Sequence, residues 1–400
     1  MKLLVASVDC PAPPDNGHRL RSYALLRALA ALGHETTLLA LTRREERADR
    51  AALARYCVAV KLFAAAPPPS RLASLPARDP YGRRRYHQAE MAAALERAGQ
   101  RSDALILDTL YAAANASGAA AEQPPLILHA HNVEHLLPAR FASVSANPAA
   151  RIYARHEAAR LKRWERDVAS QCRQVWACSA ADAAAFRALA PATPVHVTPN
   201  VLDLATYAPS PEGDPNLLLI AGGLDWLPNR DALEFFLRAI WPRLCRARPS
   251  LRLLVAGRPG PARRFGRGRH GAGVTFRHDV ADMRPLFSAA AACVVPLRIG
   301  SGTRFKILEA AALARPVVST ALGAEGLGFA PGREILIADE PGDFAAGVLW
   351  LLENTEARRA IAVAARRHVL LAHGLDALTE ALSGALAALG CEPVARGIAR

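Results

Sequence analysis

Short apolar runs recur along this chain, and each breaks into a polar or glycine-bearing loop that leads to a helical pattern. In the first half the runs are Lys2–Val8, Glu35–Leu41, Val58–Phe63, Asp103–Leu107, Leu126–Ala130, Val175–Cys178 and Val195–Val197. They resume as Leu217–Ala221, Leu251–Ala256, Val274–Arg277, Cys293–Pro296, Pro316–Thr320 and Glu334–Ile337. Runs this short and this apolar are strands covered on both faces, and helices between them make the connections parallel. The pattern therefore predicts an α/β fold of two doubly wound parallel sheets. A chain of 400 residues also exceeds one ordinary core.

The interruption between the two sets is Asn200–Asn216, which carries Pro209, Pro211, Gly213 and Pro215. It predicts an N-terminal domain over residues 1–205, a linker over 206–216, a C-terminal domain over 217–375, and a helical tail over 376–400 that packs back on the first domain. The stretch Ala149–Val168, with charges at helical spacing, reads as an exposed helix. The N-terminal MKLLVASVDCPAPP lacks the cationic start and long apolar segment of a leader and reads as a buried strand. Seven scattered cysteines show no metal-binding or redox spacing, which suits a cytoplasmic setting. The net charge of +14 is shared between both halves, and only four of the cations are lysines (Lys2, Lys61, Lys162, Lys306). A solvated basic surface explains this better than nucleic-acid binding. The Arg/Gly stretch Arg258–Gly271 holds a single aromatic residue, Phe265, where interleaved aromatics would mark an RNA-binding segment. Arg83, Arg84 and Arg85 read as a solvated face, with an anionic lipid or lipid-linked diphosphate as the alternative.

The densest chemistry lies in PLRIGSGTRFKILEAAALARPVVST, Pro296 to Thr320. A strand runs into Gly300-Ser301-Gly302-Thr303 and then into a helix bearing Arg304, Lys306 and Glu309. Glycines let a ligand approach the backbone, a helix N-terminus attracts an anion, and two cations suit a diphosphate. Glu309, a turn later, is a natural acceptor for vicinal ribose hydroxyls. The pattern is neither a phosphate-binding P-loop nor a dinucleotide GxGxxG. A second constellation, LHAHNVEHLLPAR, puts His129, His131, Glu134 and His135 just past a strand's carboxyl end. HxH spacing occurs in zinc sites, but no further Cys/His cluster accompanies it, so no metal is assigned.

The stretch from Pro296 resembles the C-terminal signature of the retaining glycosyltransferases of family 4, the "glycosyl transferases group 1" superfamily with the GT-B fold. It looks closest to the branch that builds exopolysaccharides and cell-surface glycans. AGGLDWLPNRDALEFF (Ala221–Phe236) and VTFRHDVADMRPLFSAAAACVVPL (Val274–Leu297) resemble the loop after the C-terminal domain's first strand and the segment that holds the nucleobase. CPAPPDNGHRLRSYALLRALAALGHE resembles the first loop of the N-terminal domain. The resemblance implies two Rossmann-like domains facing a cleft that closes over a nucleotide-sugar donor, with no cofactor. It implies, too, a glycan or lipid-linked saccharide as acceptor and a cytoplasmic location, at the inner face of the cell membrane if peripheral. It implies catalytic roles for His131, Arg304 and Lys306, and donor binding by Gly17, Gly300, Ser301, Gly302, Thr303 and Glu309. Asn16, Glu134, Asn229 and Arg230 are secondary candidates. Two departures stand out. Ser301 occupies the position of the family's first glutamate, and Asp225–Arg230 replaces a loop that usually carries Arg and Lys. The competing readings are a non-catalytic nucleotide-sugar-binding paralogue, and a GT-B enzyme of other chemistry such as an inverting transferase or an epimerase.

Overall fold

Every strand among the described residues is parallel to its neighbours. The computed structural model describes residues 1–43, 48–70, 74, 77–116, 124–209, 212–260 and 273–390. Most of the Arg/Gly stretch Arg258–Gly271, residues 210–211 of the interruption and residues 391–400 of the tail lie outside them. The chain forms two units: Met1–Val201 together with Leu375 onward, and Leu202–Gly374.

In the first unit the strands are β1 (Lys2–Ser7), β2 (Glu35–Thr42), β3 (Ala59–Ala64), β4 (Ala104–Asp108), β5 (Leu126–His129), β6 (Gln174–Ala177) and β7 (Val195–Val197). Their order is β3-β2-β1-β4-β5-β6-β7. The chain thus builds outward from β1 to one side, then returns to β4 and builds the other way. That reversal leaves a crevice at the carboxyl ends of β1 and β4, where ligands bind in open parallel sheets. Each face of the sheet buries its own apolar layer. Leu3, Val5, Ile106 and Ile127 pack on one side, and Leu4, Leu105, Leu107 and Leu128 on the other. This is why the runs are continuous rather than alternating.

The helix Leu375–Ala387 belongs to this unit. Leu378, Leu382 and Leu386 join Leu25 and Leu29 of the helix Gly17–Ala31 in one core layer. Gln174 fixes its end by donating to the Ala385 carbonyl (2.9 Å), while its own side-chain oxygen accepts from Trp176 Nε1 (3.0 Å). The stretch Thr355–Ala387 is long and apolar enough to cross a membrane by length and composition alone. It is nevertheless two helices, Thr355–Ala372 and Leu375–Ala387, and each buries one face in the core of a different unit.

The helix Pro148–Gln171 differs from its reading as an exposed helix. It buries Glu157, Arg160, Leu161, Trp164 and Glu165. Arg151, Arg155, Lys162, Arg163, Arg166 and Asp167 stay exposed on the other face, and the buried charges are paired: Arg160 bonds Glu157 (2.6 Å) and the Ser74 carbonyl (3.0 Å).

The second unit repeats the plan with β8 (Asp214–Ala221), β9 (Arg252–Gly257), β10 (Val274–His278), β11 (Ala290–Val295), β12 (Val317–Ser319) and β13 (Leu336–Ile337), ordered β10-β9-β8-β11-β12-β13. The reversal here falls between β8 and β11. The segment Asp225–Arg230 is not all loop, because the helix Leu227–Phe235 starts within it. That helix continues through one wide π turn, Phe236–Ile240, into Trp241–Ala247.

Leu382 is fully buried, so truncating it removes a side chain that joins the last helix to the first. Leu382→Ala should lower unfolding stability by about 2–5 kcal/mol, read from urea denaturation. An effect below about 1 kcal/mol would show that this helix is not part of the core.

Candidate functional site

Asp108 ends β4 beside Ser7, the last residue of β1, and His129, the last of β5. It is wholly buried. An ionised carboxylate in that position needs donors, and four surround it. His129 Nδ1 (2.8 Å) and His131 Nε2 (2.7 Å) contact Oδ1, while the Ser7 (2.8 Å) and Ser22 (2.6 Å) hydroxyls donate to Oδ2. Burial alone would raise the carboxyl's pKa, but the attraction to His131 and the two imidazole hydrogen bonds hold it well below the usual range. Burial, with Arg21 nearby, pushes His129 down to about 4. Burial also takes His131 well below its ordinary value, although Asp108 works against it. Both rings are therefore neutral at pH 7, each with the proton on the nitrogen that faces Asp108.

Asp108, His129 and His131 also place three potential metal-ligand atoms within 4.8 Å of one another. The nitrogen–oxygen contacts of 2.7 and 2.8 Å are hydrogen-bond distances. Two ligand atoms each ~2 Å from one tetrahedral ion would stand ~3.3 Å apart. The three residues fit a hydrogen-bonded hub better than a metal centre.

Thr109, next in the chain, has φ +90° and ψ 158°, a conformation that costs a β-branched residue strain and that collects at functional sites. Past β5, the loop is held from below by Glu165. Its carboxylate accepts from the backbone of Glu134 (2.8 Å) and the ring of His135 (2.6 Å). Glu134 in turn accepts from Tyr111 (3.0 Å) and Asn132 (3.1 Å). Burial first, and then repulsion from Glu165, raise Glu134 to about 7. Opposite, Asn16 caps the helix Gly17–Ala31 by accepting from the Arg19 amide (3.1 Å). Arg19 bonds both oxygens of Asp9 (2.9 and 3.1 Å) and so ties down the loop that presents Gly17 and His18.

In the second unit the loop Gly300–Thr303 leaves β11 and enters the helix Phe305–Ala312. Gly302 takes φ +73°, which glycine adopts without strain. Lys306 Nζ donates to Asn229 Oδ1 (2.8 Å), whose amide donates to the Gly223 carbonyl (2.8 Å). Gly222, at φ +136°, is in a conformation that favours glycine, and a Cβ there would stand 2.7 Å from both Lys306 Nζ and Asn229 Nδ2, so the two side-chain ends lie close over its backbone. Burial, then repulsion from Arg304, lowers Lys306 to about 7. Glu309 accepts from the Tyr207 hydroxyl (3.1 Å) and is raised by burial to about 7.

The structure thus joins Asn229, Lys306 and the Gly222 backbone at the ends of β8 and β11. It does not leave every expected cation aimed at a ligand. Arg304 folds back on its own loop, donating to the carbonyls of Ser301 (2.6 Å) and Gly302. Arg230 braces Leu224 (3.2 Å) and Asp225 (3.1 Å) in the same way. Arg83 pairs with Asp79 (3.0 Å) and lies over the Trp164 ring, and Arg85 lies over Tyr86. Sequence reasoning missed Ser7, His18, Ser22, Asp108, Thr109, Glu165 and Tyr207. For Asp108 a signal existed, a carboxylate directly after an apolar run.

The family model described as Glycosyltransferase Family 4 matches residues 16–206, and that described as Glycosyl transferases group 1 matches residues 215–354. An uncharacterised 44.6 kDa protein in the cps region of Klebsiella pneumoniae is 21% identical over 373 residues, covering 90% of this chain and 93% of that protein. Among solved structures, Anabaena Alr3699/HepE in complex with UDP and glucose superposes with a TM-score of 0.66 at 15% identity, over 96% of this chain and 99% of that one. Sucrose-phosphate synthase from Thermosynechococcus elongatus gives 0.71 at 17% identity, over 97% and 98%.

Removing the hub should be costly. Asp108→Ala leaves four donors without their acceptor and should lower unfolding stability by about 3–5 kcal/mol in urea denaturation. The pH dependence has two opposed parts. Between its unfolded value and about 4, His129 binds a proton only when unfolded, so stability falls as pH drops through that window. Glu134 binds a proton only when folded between its unfolded value and about 7, so its contribution falls as pH rises there. Glu134→Gln removes the second effect. Its stability should fall more steeply than the wild type's between about pH 6.5 and 4.5, and equal slopes would contradict these assignments.

Proposed function

We propose that this chain, a GT-B-type glycosyltransferase by its family models and its fold, moves a hexose from a nucleotide-diphosphate sugar to a glycan or lipid-linked acceptor. The product keeps the donor's anomeric configuration, and the pathway builds exopolysaccharide or another cell-surface glycan. The observation that carries the reading is Lys306 seated on the Gly222 backbone at the reversal point of the second sheet. A cation, a helix N-terminus and open glycine backbone converge there as a diphosphate requires.

In this reading the diphosphate lies against Lys306 and the N-terminus of the helix Phe305–Ala312, the Gly300–Thr303 loop meets the sugar, and Glu309 takes the ribose hydroxyls. Arg304 acts by shaping that loop as well as by charge. The bond from the sugar's anomeric carbon to the diphosphate oxygen breaks, and the nucleoside diphosphate leaves with the electron pair. The acceptor oxygen attacks the same face, and its proton passes to the leaving phosphate. Positive charge at the leaving group, on Arg304 and on Lys306 once the diphosphate favours its protonated form, supplies the stabilisation, so no metal is assigned. His131, held neutral and oriented by Asp108, is assigned to the donor sugar by the family resemblance, with Gly17, Asn16 and Glu134 as further candidates. The relative in a cps region and the relative crystallised with UDP and glucose support the surface-glycan and nucleotide-sugar choices. The work takes place in the cytoplasm, at the inner membrane face if the acceptor is lipid-linked.

Ser301, where the family's first glutamate would stand, favours one second reading: a protein that binds the nucleotide sugar without transferring it. Thermal shift against a nucleotide-sugar panel, followed by transfer assays with anomeric analysis of the product, separates the two. Lys306→Ala should lower kcat by about 100-fold while leaving the unfolding midpoint within a few degrees. Normal turnover would remove Lys306 from the mechanism. Lys306 titrates near neutrality, and a bound diphosphate favours its charged form. Donor binding near neutral pH should therefore take up protons, measured by calorimetry in buffers of different ionisation enthalpy, and Lys306→Met should reduce that uptake.

A further inference from the structure

A recess of about 530 Å³ opens at the amino ends of β1, β2 and β3, beside the last turn of the helix Ala89–Gly99. Met91 and Leu95 of that helix pack into the core with Leu39, Leu41 and Phe63. The recess is lined instead by Ala94 and Ala98, side chains that stop at Cβ and leave open the volume a longer one would fill. Lys2, Lys61, Arg97 and Arg101 stand around it, against one acid, Glu35. Among the described residues none of these four cations has an ion-pair partner. The carbonyls that end the helix do not oppose an anion either. Ala98 O accepts from the Ser102 hydroxyl (2.9 Å) and the Arg101 amide (3.1 Å), and Gly99 O from the Ser102 amide (3.0 Å). β1 runs from Lys2 at this recess to Ser7 at the Asp108 hub, so ~17 Å of strand separates the two.

We propose that the recess binds a phosphorylated small molecule, at a site separate from the one to which sugar transfer is assigned. The phosphate lies among Lys2, Lys61, Arg97 and Arg101, and the organic body rests on Leu39, Ala94 and Val58. The volume is that of a small-molecule site. Four cations exceed what a neutral ligand needs, and ammonium and guanidinium groups together offer many donors to phosphate oxygens. The apolar part of the lining separates an ester from bare phosphate: Leu39 and Ala94 are buried beneath the opening, and Val58 is 68% exposed beside it. A merely solvated basic face would carry its cations over no such floor.

The chain's four lysines, two of them at this recess, make the experiment direct. In the full chain labelled with ¹³C-lysine, the Lys2 and Lys61 side-chain resonances report the recess and Lys306 reports the second unit's site. Lys162, exposed on another helix, is the control. Phenyl phosphate, inorganic phosphate and glucose are added in turn at an ionic strength matched with sodium chloride. The expected result is a saturable shift of Lys2 and Lys61 with phenyl phosphate, at lower concentration than with inorganic phosphate, with Lys162 unmoved and no response to glucose. Arg97→Gln combined with Arg101→Gln should weaken that binding by about tenfold or more, and Glu35→Gln should tighten it. All three side chains are exposed, so the urea midpoint should stay in place. The proposal is overturned if Lys2 and Lys61 shift no more than Lys162, if only Lys306 responds, or if the double variant binds as the wild type does. Inorganic phosphate binding as tightly as the ester also overturns it. None of these readings depends on sugar transfer, so a failure of the enzymatic assignment leaves the test intact.

Discussion

A charged carboxylate sealed from water must rebuild its solvation shell from protein groups, and in the first unit that requirement falls on Asp108. Its four donors come from β1, the first helix, the end of β5 and the loop beyond it. Each partner therefore has a position dictated by one acceptor. The strand order makes this feasible, because β1 and β4 become neighbours only when the chain reverses direction. The neutral state of two histidines follows from the same point. A weaker acceptor would not compensate for burying so many polar groups together.

The second unit meets the opposite problem, how to keep a cation near glycine backbone without an anion always in place. Lys306 does so by losing part of its charge to burial and by leaning on Asn229. Glu309, raised by burial and bonded by Tyr207, is similarly poised. Groups held near their titration points respond strongly to a ligand's charge, whereas Arg304 and Arg230 serve as struts for the loop carbonyls.

Strands were the most legible part of the chain. A parallel sheet covered on both faces has to be written in continuous apolar runs, and β1, β4 and β11 read that way. Their ends were less legible by a residue or two, and that margin hid Asp108, since the run reads as stopping at Leu107. The Gly300–Glu309 segment was legible because its residues are close in sequence. The Asp108 hub was not, since Ser7, Ser22, Asp108 and His131 are scattered and only the strand order assembles them. The buried face of the helix Pro148–Gln171 was missed for a related reason. Helical spacing of charge looks the same whether the charges meet water or, as with Glu157, Arg160 and Glu165, find buried partners.

The last described helix packs against the first, so the chain contributes to one core from both of its ends. During synthesis, Leu25 and Leu29 leave the ribosome long before Leu378, Leu382 and Leu386 exist to cover them. The first unit must then wait, with part of an apolar layer uncapped, while all of Leu202–Gly374 is made. The second unit, encoded without interruption, has no such delay. Vectorial folding of this protein therefore runs against sequence order, with the middle of the chain free to finish before the beginning.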